Sequence, residues 1–341
     1  MNKKITSRDV AKAAGVSQSL VSLILNSVPH KKIRPETREL VLATARKLNY
    51  SVNINARNMK NRKAGAIGLL SSWDTNSFVF PPVVKGVQAV CSEQDAGILI
   101  CTAKQGKSGI RDYIDYFQQN RIDGLIYISY VGVGYDGVLK ELVENAVPFV
   151  CIIGARDIPG VSCVDVSFLE SGDLAVRHLA QKGFGNIAYL CHGKPEEACY
   201  AEKERFEGCL RAAGDSGVSI ASENIFSISC TEGEMLRHAG SFLEKGRYDA
   251  VVATSFDCFI ILKAAARMGL KVPDSLGVIS LDNELFSPYL YPSLTTIDEP
   301  LYEIAKEAAQ ILFENISGKR ICKKIEIPPL ISVRESTGRR I

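Results

Sequence analysis

Apolar residues recur along this chain with two different periods. Near the amino terminus they fall three and four apart: Val10, Ala13 and Ala14, then Val21, Ile24 and Leu25, then Leu40, Val41, Ala45 and Leu48. That spacing predicts three short amphipathic helices, roughly 6–14, 18–25 and 35–48. Thr6 and Asp9 have capping-box spacing, Gly15 suits a left-handed stop, Ser17 suits an N-cap, and Pro35 suits a first helical turn. From Ala64 onward the pattern changes to short continuous apolar runs: AIGLL at 66–70, GILIC at 97–101, GLIYI at 124–128, FVCII at 149–153, IAYL at 187–190, AVVAT at 250–254 and GVISL at 277–281. Segments of helical character at 83–94, 108–120, 170–183, 200–213, 232–245 and 257–268 separate them. Short buried strands alternating with helices predict an α/β body of doubly wound parallel sheet. Its length predicts two lobes.

Charge changes the picture of the first segment. Residues 1–63 hold fourteen Lys or Arg and three acids, a net +11, although the whole chain of 341 residues carries only +3. A basic head on a mildly acidic body predicts a polyanion partner for the head alone. A hydrophobic fraction of 46 % and a charged fraction of 23 % are those of a soluble globular protein. There is no apolar run of about 18 residues and no secretory pattern at MNKKITSRDV, so no membrane partner and a cytoplasmic location are expected. Ten scattered cysteines form no C-x-x-C pair, which predicts reduced, mostly buried thiols and neither metal nor cofactor.

Two helices joined by a tight Gly-containing turn and followed by a third make a helix-turn-helix, whose second helix enters the DNA major groove. The apolar side of 18–25 would hold the unit together, leaving Gln18, Ser19, Ser22 and Leu23 to face a duplex. Gln18 suits adenine and Leu23 a thymine methyl. Ser17, Ser22 and the basic residues suit phosphates. Thr6, Asn26, Arg34, Asn53 and Arg57 complete the DNA-facing set expected from the sequence. The alternative is a capping domain with a solvated charged face, which the charge disfavours.

ITSRDVAKAAGVSQSLVSLILN, then RPETRELVLATARKLNY, then NINARNMK, resembles the DNA-binding head of the lactose/galactose repressor (LacI/GalR) family. The resemblance implies that Gln18 and Ser19 fall on its two main base-reading positions. Leu23 falls on a third that is often Arg. It also implies that 51–63 is a hinge helix formed on DNA, with Ala56 as the hinge alanine and Met59 as a wedge in the minor groove; the plainer reading is a flexible linker. Val52 stands where Pro is common. QNRIDGLI, GDLAVRHLAQKGFGNIAYL, RFEG, GVISLDN, PSLTTIDEP and VREST extend the resemblance almost to the end of the chain. The implied fold is a helix-turn-helix head over 1–50, the hinge over 51–63, and a two-lobed body over 64–341 like that of periplasmic sugar-binding proteins. Lobe 1 would take 64–161 and 292–322, and lobe 2 would take 162–291 and 323–341.

Ligands of parallel sheets sit beyond the carboxyl ends of the strands. That rule nominates Ser72, Trp73, Asp74, Thr102, Lys104, Arg156, His192, Asp257 and Asp282. The resemblance supports Arg205, Asp257 and Asp282 as effector contacts, and Phe78 joins them. Trp73 has an equal reading as a packing residue, and His192 one as a plain loop residue. Val166 and Phe256 replace commonly polar positions, so no particular sugar transfers. The expected function is a sequence-specific DNA-binding transcriptional regulator, a repressor, acting as a homodimer on palindromic double-stranded operator DNA. A small, sugar-like effector between the lobes would control it. A protein co-regulator in place of the small molecule is the alternative. A pure ligand-binding protein or an α/β enzyme fits less well: no G-x-G-x-x-G or phosphate loop follows the first strand, and no catalytic residues are expected.

Overall fold

The computed structural model describes residues 5–25, 33–50, 63–71, 77–104, 111–129, 136–154, 158–192, 199–228, 234–319 and 321–338. They fall into two compact units, Met1–Ala64 and Gly65–Ile341. Residues 51–62 of the expected hinge, with Asn53, Ala56, Arg57 and Met59, lie outside the described residues, as does Asn26.

The first unit holds α1 (Ser7–Ala14), α2 (Gln18–Leu25) and α3 (Pro35–Lys47). The capping spacing is realised: the Thr6 backbone N–H and the Thr6 hydroxyl both donate to Asp9 Oδ2, at 2.8 and 2.7 Å. Gly15 ends α1 at φ 66°, a conformation closed to most side chains. Val10, Ala11 and Ala14 pack against Val21, Ile24, Val41 and Ala45. Two expected core positions are corrected. Ala13 is exposed and Ala11 buried: the buried arc runs from Val10 through Ala14 to Ala11, and at about 100° per residue Ala13 lies on the other side of Val10, roughly 160° round from Ala11. Leu40 is 51 % exposed for the same reason, one step round from Val41.

The body opens with β1 (Ala66–Ser71), α4 (Phe80–Glu93), β2 (Gly97–Cys101), α5 (Asp112–Gln118), β3 (Leu125–Ile128), α6 (Asp136–Glu144), β4 (Phe149–Ile152) and β5 (Cys163–Val166). The chain continues through α7 (Phe168–Gln181), β6 (Ile187–His192), α8 (Tyr200–Ser216), β7 (Ile225–Ile228), α9 (Met235–Lys245), β8 (Ala250–Ala253), α10 (Ser255–Arg267), β9 (Gly277–Ser280) and β10 (Thr295–Asp298). It closes with α11 (Leu301–Ile316), β11 (Lys324–Ile327) and β12 (Leu330–Ser332).

Two six-stranded sheets result, ordered β11-β5-β4-β3-β1-β2 and β12-β10-β9-β8-β6-β7. All neighbours are parallel except β12, which pairs antiparallel with β10 through Ile297 and Ile331. Each sheet is covered on both faces, as buried parallel strands require. In the first sheet, α4 and α11 cover one face and α5 and α6 the other. In the second, α7 and α8 cover the face carrying Tyr189 and Cys191, while α9 and α10 cover the face carrying Leu190.

The lobe boundaries differ from expectation. β5 belongs to the first sheet, held to β11 by the pairing of Val164 with Ile325, and β10 belongs to the second. The chain therefore crosses at Ser167, at Glu299–Pro300 and at Pro328–Pro329, not near 162, 292 and 323. CVDV is short, and TTID and KIEI carry too few apolar residues to announce themselves as strands; their pairings, β5 with β4 and β11 and β10 with β9 and β12, assign them to a sheet. Seven of the nine described cysteines are buried, and burial pushes thiols such as Cys101 up to about 12.

Candidate nucleic-acid interface and ligand site

The head presents one polar face. Gln18, Ser19 and Ser22 are exposed on α2, opposite buried Val21 and Ile24, and Leu23 is half-buried beside them. This follows from spacing: positions i, i+1 and i+4 share a side of a helix. Ser17 caps α2 by accepting the Leu20 N–H at 3.2 Å, and its hydroxyl lies 3.0 Å from that of Ser19. Gln18 bridges the two helices. Its Oε1 accepts from Arg8 Nε at 3.2 Å, and its Nε2 donates to the Ser7 hydroxyl at 3.0 Å. The amide is thus held at the amino ends of both helices, with donor and acceptor orientations fixed. Because these bonds are exposed, exchanging them for base contacts costs about 1 kcal/mol or less per bond. Thr6 and Arg34 are exposed, with the Thr6 hydroxyl committed to Asp9.

In the body, the crossing segments meet around Arg205. Helices α7 and α8 touch at two glycines: a Cβ on Gly172 would collide with the Arg205 carbonyl, and one on Gly208 with the Leu169 carbonyl. The R-F-E-G stretch therefore has a packing cause, because Gly208 brings α8 against α7 and sets Arg205 over the first crossing. Its guanidinium lies 5.0 Å from the centre of the Phe168 ring, and Nη2 donates to Glu299 Oε1 at the second crossing. Both side chains are buried, at 7 % and 2 % exposure. Burial pushes the Glu299 carboxyl up to about 7; Arg205 opposes the shift, while Asp282 and Asp165 add to it.

Asp282 and Asp165 brace backbone close by. Asp282 Oδ1 accepts from the Ser255 N–H at 2.6 Å and the Ser280 hydroxyl at 2.8 Å, fixing the end of β9 to the start of α10. Asp165 accepts the Gly154 N–H at 2.9 Å. Glu284 is raised by burial and by Asp282. Glu299 Oε2 and Asn283 Oδ1 are buried acceptors with no hydrogen-bond partner among the described residues. Buried acceptors in this state favour a ligand that donates hydrogen bonds.

The candidate residues thus divide. Arg205 and Asp282 come together. Asp257, 3 % exposed, accepts the Thr254 hydroxyl at 2.8 Å and lines a cavity with Leu190, on the α9 and α10 face of the sheet. Phe78 is half-buried against the core of the first lobe. Lys104 is exposed beyond β2, where its carbonyl accepts the Asp112 N–H at 3.0 Å. Thr102 is tied to Asp112 by two hydrogen bonds. Ser72, Trp73, Asp74 and Arg156 lie outside the described residues, as does the side chain of His192. Glu299 and Phe168 were missed as site residues. Each stands just past the end of a strand, so the strand-end rule finds them once β10 and β5 are recognised. Among the described residues no His, Cys, Asp and Glu group is placed to hold a metal ion, and no helix is long and apolar enough to cross a membrane.

A basic head with an exposed polar recognition face, attached in sequence to a two-lobed body with a polar floor, defines a ligand-responsive DNA-binding regulator. The comparisons carry this to a family. Residues 6–53 match the bacterial regulatory proteins of the lacI family, and residues 176–337 match the periplasmic binding protein-like domain. The HTH-type transcriptional repressor PurR of Vibrio parahaemolyticus serotype O3:K6 is 30 % identical over 339 residues, covering 97 % of this chain and 98 % of its own. The HTH-type transcriptional regulator DegA of Bacillus subtilis (strain 168) is 28 % identical over 340 residues, covering 98 % of each chain. The lac repressor dimer bound to operator and the anti-inducer ONPF shares the fold, with a TM-score of 0.78 at 21 % identity, covering 98 % of this chain and 99 % of that one. The chain belongs to the lacI family and is a DNA-binding transcriptional regulator, not an enzyme.

Proposed function

We propose that this regulator is a cytoplasmic homodimeric repressor. Two copies of the 1–50 head read a palindromic operator, the 51–63 hinge carries the contact into the minor groove, and the 64–341 body controls both through a small molecule held at the lobe crossings. The observation that carries the reading is the polar face of α2, where an oriented Gln18 amide stands between exposed serines in a strongly basic segment. In this assignment Gln18, Ser19 and Leu23 meet bases, while Thr6, Ser17, Ser22 and Arg34 meet phosphates. Asn26, Asn53, Ala56, Arg57 and Met59 complete the interface.

The ligand class follows from charge. Arg205 is already hydrogen-bonded by Glu299, and the charges of Asp282 and Asp165 act on that carboxyl. An anionic effector would meet this acidic surround, whereas a neutral, hydroxyl-rich one would donate to Glu299 Oε2 and Asn283 Oδ1. Lys104, Phe78, Trp73, Asp74 and Arg156 are assigned to its other side. Self-association is supported by the stretch after β9, where Leu285, Phe286, Tyr289 and Tyr291 stand 62–95 % exposed within seven residues.

The test is selection of bound duplexes from a random pool by the full-length protein at fixed salt, with neutral sugars or sugar phosphates added in parallel. A two-fold-symmetric consensus, with affinity altered by a neutral sugar and not by its phosphate, is the expected result. No symmetric preference would overturn the reading of the head. Indifference to every small molecule would replace the effector with a protein co-regulator.

A further inference from the structure

Two buried acceptors follow the ends of adjacent strands. β9 and β10 run parallel, with Thr295 opposite Ile279 and Thr296 opposite Ser280. Glu299 stands three residues past Thr296, and Asn283 three past Ser280, so the two leave their strands on neighbouring tracks. The charge of Asp282, next to Asn283, acts on the Glu299 carboxyl. Glu299 Oε2 and Asn283 Oδ1 are both buried, and neither has a hydrogen-bond partner among the described residues. The Glu299 side chain is 2 % exposed, and its other oxygen, Oε1, is taken by Arg205.

We propose that the effector is a hydroxyl-rich molecule carrying one ammonium group, as an amino sugar does, and that the ammonium seats on Glu299 Oε2 and Asn283 Oδ1. The inference rests on the interlobe reading of the effector site and narrows its ligand class. Donor count is the first argument. A hydroxyl donates one hydrogen bond and satisfies one of these acceptors; an ammonium donates three and satisfies both.

Charge is the second argument. The charges that act most on Glu299 are Arg205, which is positive, and Asp282 and Asp165, which are negative. A buried carboxylate in that company lacks a full counter-charge, and burial pushes its carboxyl up to about 7. A ligand ammonium supplies the charge and takes the place of the carboxyl proton. That proton leaves to solvent, while the ammonium keeps its own. Lys104 and Arg156, assigned to the other side of the ligand, meet its hydroxyls. Both acceptor atoms are closed to solvent, so an occupant reaches them only as the lobes part, which ties binding to the lobe angle.

The experiment is titration calorimetry of the full-length protein at pH 7 with D-glucosamine, D-galactosamine and D-mannosamine, each against its parent sugar. Proton release is read by electrode in weak buffer at pH 6. An amino sugar should bind about tenfold tighter than its neutral partner, the difference between a charge-assisted and a neutral hydrogen bond. At pH 6 it should release about one proton per site, and its neutral partner markedly less. Glu299→Gln should bring the pair within about threefold and abolish the release. Each ratio compares two ligands on one protein, so a loss of stability in the variant cancels. Parent sugars that bind as tightly as their amines would overturn the ammonium and leave the interlobe site standing. A preference kept by Glu299→Gln, or amine binding without proton release, would also overturn it. If no sugar and no amino sugar binds, both readings fall together.

Discussion

Replacing Glu299 by glutamine tests the floor of the interlobe site most directly. The substitution keeps the shape, and its amide oxygen still accepts from Arg205 Nη2; it removes one buried titratable carboxyl. Burial raises that carboxyl from an ordinary 4.5 to about 7 in the folded protein. The folded state therefore holds the proton more tightly than the unfolded chain does. The resulting stability is fully present below pH 4.5 and is lost as pH rises through 7. With one unit worth about 1.36 kcal/mol, the loss between pH 5 and pH 8 is about 2–3 kcal/mol. Every other titrating group is common to both proteins, so the difference between parent and Glu299→Gln isolates the contribution. Urea unfolding at half-unit steps from pH 5 to pH 8 measures it, with the slope m checked for constancy. The variant should gain on the parent by that amount across the window. Parallel profiles, agreeing within about 0.5 kcal/mol, would show that Glu299 does not titrate there and that the floor is wetter than the geometry implies.

Other substitutions test other levels of the account. Gln18→Ala should cost about 1–3 kcal/mol on the selected operator and relax preference at one base position. Equal loss on all sequences, read by titration against shuffled duplexes, would assign Gln18 to the phosphates instead. Gly172→Ala places a Cβ against the Arg205 carbonyl and 2.8 Å from the Cys209 nitrogen, so α7 and α8 must separate. We expect a loss of about 1–3 kcal/mol in urea unfolding together with weakened effector binding, and an unchanged midpoint would contradict the close contact. Asp9→Ala removes the acceptor for the Thr6 N–H and hydroxyl. It should lower the unfolding free energy of the head by about 1 kcal/mol, as followed by circular dichroism of the 1–50 segment in urea.

What the sequence decided by itself is local. Thr6, Asp9, Gly15 and Ser17 place the ends of α1 and α2 through hydrogen bonds spanning three residues and one backbone angle, so the polar face of α2 is legible without tertiary information. The apolar runs at 66–70, 97–101 and 277–281 announced strands because parallel sheet buries both of their faces. The exposure of Ala13 and Leu40 is not legible there, since an apolar residue at roughly the right spacing need not point at the core. Which lobe owns β5, β10 and β11 is settled only by folding: their strands are short, and the pairing of β5 with β11 joins segments at 163–166 and 324–327 that are far apart in the chain. The candidate ligand floor is of the same kind. Arg205, Phe168, Glu299 and Asp282 become neighbours because two glycines let α7 and α8 touch where the chain crosses between sheets. Burial then gives Glu299 a proton affinity that no single stretch of the chain encodes.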